Sequence, residues 1–140
     1  MSLLLDTNIL SELRKGAGAN TRVRGWFDGV SAEEIYLSVL VIGELRRGVE
    51  LVRRRDARQA ASLERWLTTV VVSHAERILA VDGRVADQWG RLTAIRPGSV
   101  IDTLMVATAQ VHGLVLVTRN VKDVAWTGVS CLDPFEAASD

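Results

Sequence analysis

Apolar positions along this chain fall into two rhythms. Short, nearly continuous runs occur at LLLD (Leu3 to Asp6), IYLS (Ile35 to Ser38), VVVS (Val70 to Ser73), LVLVT (Leu114 to Thr118) and, near the end, VSCL. Runs of this kind read as strands buried on both faces. Elsewhere apolar residues recur at helical spacing. A helical pattern starts directly after LLLD, and KGAGAN (Lys15 to Asn20) reads as the loop that follows it. Further helices are predicted from about Val39 through VIGELRRGVELVRR and over DARQAASLERWLTT. Two more cover DGRVADQWGRLTAI, stopped by Pro97, and SVIDTLMVATAQVHG, closed by Gly113. The alternation predicts an α/β sandwich whose parallel sheet is covered on both faces. In such folds ligands collect at the carboxyl ends of the strands.

The 140 residues carry no internal repeat and no Pro/Ser-rich linker, so 1–140 reads as one domain. A hydrophobic fraction of 48% and a charged fraction of 24% are those of a globular protein. Lys plus Arg and Asp plus Glu both number 17, so any nucleic-acid contact must come from a local patch and not from overall charge. The single cysteine, Cys131, excludes a disulfide framework and a cysteine-based zinc site. MSLLLDTN has no basic leader region, and no apolar stretch is long enough for a membrane span. The expected location is cytoplasmic.

Four acids stand out by position. Asp6 ends the first strand, where it reads either as a helix N-cap or as a metal ligand. Glu44 lies on or beside the apolar face of its helix; an i,i+3 pair with Arg47 is the simpler account, and burial of its charge the more demanding one. Gly43 and Gly48 flank it and suggest that something approaches this helix closely. Asp102 follows Ser99 at capping-box spacing. Asp123 lies beyond the strand ending at Thr118, in a loop where Asn120 and Asp123 also serve as turn-formers. Carboxylates converging at ~5 Å repel by about 3 kcal/mol per pair at an effective dielectric of ~20. Such a cluster stays partly protonated or holds a cation, and hard oxygen donors point to Mg²⁺ or Mn²⁺.

The stretches LLLDTNILSEL, VIGELRRGVEL and IDTLMVATAQVHGLVLVTRNVKDV, in this order, resemble the PIN-domain ribonucleases. The likeness is greatest to the VapC-like toxins of bacterial toxin–antitoxin pairs, including their FitB-type branch, and it runs through nearly the whole chain. It implies a three-layer α/β/α sandwich around a central parallel sheet of about five strands. It implies that Asp6, Glu44, Asp102 and Asp123 form a pocket for Mg²⁺ or Mn²⁺ and that the protein hydrolyses RNA phosphodiester bonds. Asp6 and Asp102 would be the direct ligands. Glu44 and Asp123 would bind through water or orient the nucleophile, and Thr7, Asn8, Thr118 and Asn120 would support the pocket by hydrogen bonding. Val124 departs from the Phe that relatives often carry, which bears on the packing of that loop. The resemblance further implies a small antitoxin as partner, lying over the site and in a hydrophobic groove, and a homodimer.

Other chemistries are poorly served. His74 and His112 form no HExxH pair, no GxGxxG follows a strand, and no P-loop occurs. A phosphotransfer enzyme with Asp6 as nucleophile wants a second acid where Asn8 stands. A catalytically silent PIN-like module that binds a partner protein is the main alternative. RRRDAR (Arg53 to Arg58), with Arg46 and Arg47, reads as a solvated helix face, with a basic rim for RNA as the other possibility. Arg22 and Arg24 carry the same ambiguity. The four tryptophans read as core or interface residues, although an exposed one would be able to stack a base.

Overall fold

A computed structural model describes residues 1–136. Five strands, β1 (Leu3–Leu5), β2 (Ile35–Ser38), β3 (Ile78–Leu79), β4 (Val115–Val117) and β5 (Cys131–Leu132), form one parallel sheet in the order β3-β2-β1-β4-β5. Seven helices flank it: α1 (Thr7–Leu13), α2 (Thr21–Asp28), α3 (Val39–Arg53), α4 (Ala57–Ser73), α5 (Gly83–Ile95), α6 (Val100–His112) and α7 (Val121–Val124). Parallel crossovers are right-handed. Steps from β1 to β2 to β3 run in one direction and carry α1–α4 over one face. The step from β3 back to β4, and on to β5, runs the other way and carries α5–α7 over the other. Contacts of α1 with α2 and α3, of α3 with α4, and of α6 with α5 and α7 agree with this division. The expected α/β/α sandwich is the observed one.

Leu3, Leu4 and Leu5 are buried, as a central strand covered on both faces requires. Leu5 is in register with Val117, and the Asp6 amide continues the ladder by donating to the Val117 carbonyl at 2.9 Å. The chain leaves β1 toward β2 on one side and reaches β4 on the other. The crevice above the carboxyl ends of β1 and β4 is therefore the topological switch point, where an open α/β sheet binds ligands.

Two segments differ from the sequence-based expectation. Val70 to Ser73 is the last turn of α4 and not a strand. Val70 joins the core with Leu67, while Val72 is 71% exposed, so packing of one helical face overrides the β preference of three valines. The third strand is instead the two-residue Ile78–Leu79, paired with Leu37 and Ser38. Helix α2 was not expected beyond the KGAGAN loop. The last residue of that loop, Asn20, caps it by accepting from the amides of Arg22 and Val23. Among the described residues no helix is long and apolar enough to cross a membrane.

Candidate functional site

Asp6 stands at the joint between β1 and α1. It is the N-cap of α1, with Oδ1 accepting from the Thr7 amide at 2.8 Å. Its Oδ2 accepts from the hydroxyl of Thr118 at 2.8 Å and from the Asn8 amide nitrogen at 3.5 Å. Thr118 is 1% exposed, at the end of β4, and its oxygen also accepts from the Asn120 amide at 3.1 Å. Asn8 Oδ1 in turn accepts from the Arg119 amide at 3.3 Å. The two strand ends are thus laced together around one carboxylate.

Glu44 approaches from α3. The buried stripe of that helix is Val41, Leu45 and Val49, and Glu44 sits half-buried at its edge. Its partner is the Thr7 hydroxyl, which donates to Oε1 at 2.5 Å, and not Arg47. Gly43 and Gly48 face open space: a Cβ at either would meet nothing within 4 Å, so among the described residues none makes the close approach their presence suggested. Asp102 arrives on the first turn of α6, where the Ser99 hydroxyl oxygen caps its amide at 3.5 Å.

Asp6, Glu44 and Asp102 line one cavity of about 470 Å³ with Thr7, Asn8, Ser11, Glu12, Arg14, Lys15 and Asn120. Asp123 lies outside it. It is an exposed residue of α7 and lines a neighbouring cavity that has Asp102 in its wall. Among the described residues none of the four acids is in an ion pair. Burial pushes the Asp6 carboxyl above its ordinary value, against the hydrogen bonds from Thr118 and Thr7, and the Glu44 charge pushes the same way. Asp102 is also raised, first by burial and then by the charges of Asp6 and Asp123. Asp6 and Asp102 therefore each feel a neighbouring acid.

Ser11, Arg14 and Lys15 were not singled out in the sequence. Counting from Thr7 at four, seven and eight positions along α1 places them on one helical face, and that face is the cavity wall. Lys15 pairs with Glu12 at 3.0 Å, whereas Arg14 makes no ion pair among the described residues. Two of the three arginines of α3 are otherwise engaged. Arg46 and Arg53 both bind Glu50 and Glu64 in an exposed network joining α3 to α4, away from the acidic cavity.

The donor chemistry suits a hard divalent cation. Asp6, Glu44, Asp102 and the side-chain amides of Asn8 and Asn120 bring oxygen donors to the cavity, and Asp6, Glu44 and Asp102 are in no ion pair among the described residues, although Arg14 and Lys15 stand in the same wall. Among the described residues no three His, Cys, Asp or Glu side chains surround a common point.

Carboxylates gathered at the switch point of a doubly wound parallel sheet define an acid-pocket α/β domain. The PIN domain family model matches residues 3–122, and the chain belongs to that family. It is 30% identical to Toxin FitB of Neisseria gonorrhoeae over 95% of this chain and 98% of that protein. It is 31% identical to the VapC ribonuclease Y4jK of Sinorhizobium fredii over 97% and 99%. The crystal structure of FitAcB from Neisseria gonorrhoeae superposes with a TM-score of 0.87 at 30% identity, covering 96% of this chain and 99% of that one. A toxin–antitoxin complex from Klebsiella pneumoniae, at 23% identity and a TM-score of 0.74 over 97% and 100%, shares the fold.

Proposed function

We propose that this protein is a metal-dependent endoribonuclease that hydrolyses RNA phosphodiester bonds as the toxin of a toxin–antitoxin pair. The observation that carries the reading is that Asp6, Glu44 and Asp102 line one cavity and none of them is in an ion pair among the described residues. The ribonuclease and toxin names of the relatives support it. Asp6 and Asp102 would hold Mg²⁺ or Mn²⁺, which supplies charge neutralisation at the phosphoryl oxygens and acidification of water. Thr118 and the Thr7 amide fix the Asp6 carboxylate so that its remaining lone pairs face the cavity. Glu44, steadied by Thr7, orients the attacking water and takes its proton as the water oxygen bonds to phosphorus in line; the opposite P–O bond breaks, and the departing ribose oxygen takes a proton from solvent. Asp123 acts on the far side of Asp102, through water. Arg14 on the rim attracts a flanking phosphate, and Asn8 and Asn120 hydrogen-bond the backbone of the strand.

An antitoxin protein as partner is supported by the FitAcB and Klebsiella pneumoniae complexes. A second copy of this chain and a cytoplasmic location complete the proposal and rest on the family resemblance. The test is RNA cleavage by purified protein. Asp6→Asn and Asp102→Asn are each expected to lower the rate by more than about 100-fold, the upper range for disturbing a ligand's own support. EDTA abolishes cutting. Undiminished cleavage by either variant, or full activity in EDTA, rejects the scheme. A protein that binds a partner but cuts no RNA in any divalent ion is the silent module instead.

A further inference from the structure

Asp102 enters the cavity from the first turn of α6, and that turn has few holds of its own. Val100 is 57% exposed, Ile101 is half-buried, and the Ser99 cap on the Asp102 amide is long at 3.5 Å. The first buried residue of the helix is Thr103, next to Asp102 and about 100° further round the axis. Its oxygen accepts from the indole Nε1 of Trp89 on α5 at 2.9 Å, and its hydroxyl donates to the Ser99 carbonyl at 2.7 Å. The same carbonyl accepts from the Thr103 amide at 2.9 Å. On the methyl side stands Gly98, where a Cβ would come within 3.1 Å of Thr103 Cγ2. The indole fixes the hydroxyl, and the hydroxyl fixes the residue at which α6 begins.

Helix geometry makes this hold consequential for the carboxylate. A side-chain tip lies ~6 Å from the axis, so a rotation of about 20° moves it by about 2 Å. Mg²⁺ takes its oxygens at roughly 2.0–2.1 Å in near-ideal octahedral geometry, and a displacement of that size carries a ligand out of reach. Apolar packing of α5 on α6 is non-directional and sets rotation only loosely. Among the described residues, side chains of these two helices hydrogen-bond each other in two places. One is Trp89 to Thr103, and the other is Gln88 to Gln110 at 2.7 Å, at the opposite end of α6.

We infer that Trp89 is a positioning residue: through Thr103 it sets the rotation of α6 that aims the Asp102 carboxylate into the acidic cavity. The inference rests on the reading of Asp102 as a ligand of the divalent ion and adds the residues that place it.

The experiment is Mn²⁺ binding to the purified full chain by calorimetry, with the melting temperature in EDTA measured beside it. Trp89→Phe loses the indole N–H and Thr103→Val the hydroxyl. Each is expected to weaken Mn²⁺ binding roughly 10-fold, the low end for supports of a metal ligand. Thr103→Ser keeps the hydroxyl and the parent affinity. The double variant binds no more weakly than Thr103→Val alone, because both changes break one bond. Gln88→Leu cuts the other bond between the same helices and leaves Mn²⁺ affinity intact. Trp89→Phe alone decides the matter where Thr103→Val fails to fold. The role is merely structural, and the inference fails, if the Trp89 and Thr103 variants lose melting temperature but bind Mn²⁺ like the parent. It fails equally if Thr103→Ser does not restore binding or Gln88→Leu weakens it as much. Asp102→Asn tests the reading beneath: parent-like Mn²⁺ binding there removes Asp102 as a ligand. Weak binding by Asp102→Asn beside unaltered binding by Trp89→Phe removes only the positioning.

Discussion

The hydroxyl of Thr118 donates to Oδ2 of Asp6 at 2.8 Å, although 112 positions separate the two residues. The same oxygen accepts from the Asn120 amide, so one buried hydroxyl ties the first strand's acid to the loop after the fourth. Thr118→Val keeps the shape and removes both bonds. It is expected to lower stability by about 1–3 kcal/mol in urea unfolding, as for other buried groups left unpaired. It also removes a donor that favours the Asp6 carboxylate, so the acid limb of the cleavage–pH profile moves to higher pH, and Thr118→Ser moves it back.

The raised carboxyls have a consequence for stability with a definite sign. Asp6 and Asp102 are held above the ordinary value of 3.8, so without metal the folded chain binds protons more tightly than the unfolded one. Stability is greatest with both protonated and declines as pH rises from 3.8 through the raised values. Asp102→Asn escapes its share of that decline. In EDTA at neutral pH it should melt above the parent, with the difference shrinking toward pH 3.8. Mg²⁺ should then raise the melting temperature of the parent and not of the variant. A variant less stable than the parent in EDTA contradicts the account.

Basic residues should divide by what they already bind. Arg53 is taken up by Glu50 and Glu64, whereas Arg14 has no ion-pair partner among the described residues and lines the acidic cavity. Arg14→Ala should reduce the slope of log affinity against log salt for single-stranded RNA by roughly 0.7, the contribution of one phosphate contact. Arg53→Ala should leave that slope in place. The reverse pattern would move the RNA path onto α3 and α4.

Two glycines make opposite predictions. Gly113 closes α6 with φ +66°, a left-handed conformation that costs an alanine roughly 1–2 kcal/mol. Gly48 lies inside α3, and a Cβ there meets nothing within 4 Å, so Gly48→Ala should stabilise by about 1 kcal/mol. Urea midpoints of the two variants should move in opposite directions.

What the sequence made legible follows from how local each signal was. LLLD and IYLS are strands because continuous burial needs continuous apolar residues, and Ser99 and Gly113 bound α6 through their own backbone chemistry. VVVS misled because three β-branched residues look the same at the end of a helix as in a strand; only the exposure of Val72 separates the cases. The two-residue β3 is too short to carry a pattern. At the site, the positions of Asp6 and Asp102 could be argued from strand end and helix start. Arg14 could be placed only by knowing which face of α1 turned to the cavity, and that depends on Glu44 meeting Thr7 across 37 residues.

The order of the strands also sets when the protein becomes competent during its own synthesis. β1 emerges first but lies in the middle of the sheet, with one edge waiting for β4. Until that strand and Thr118 have cleared the ribosome, Asp6 has no hydroxyl beneath it. A chain that ends before β4 therefore leaves one edge of its central strand unpaired.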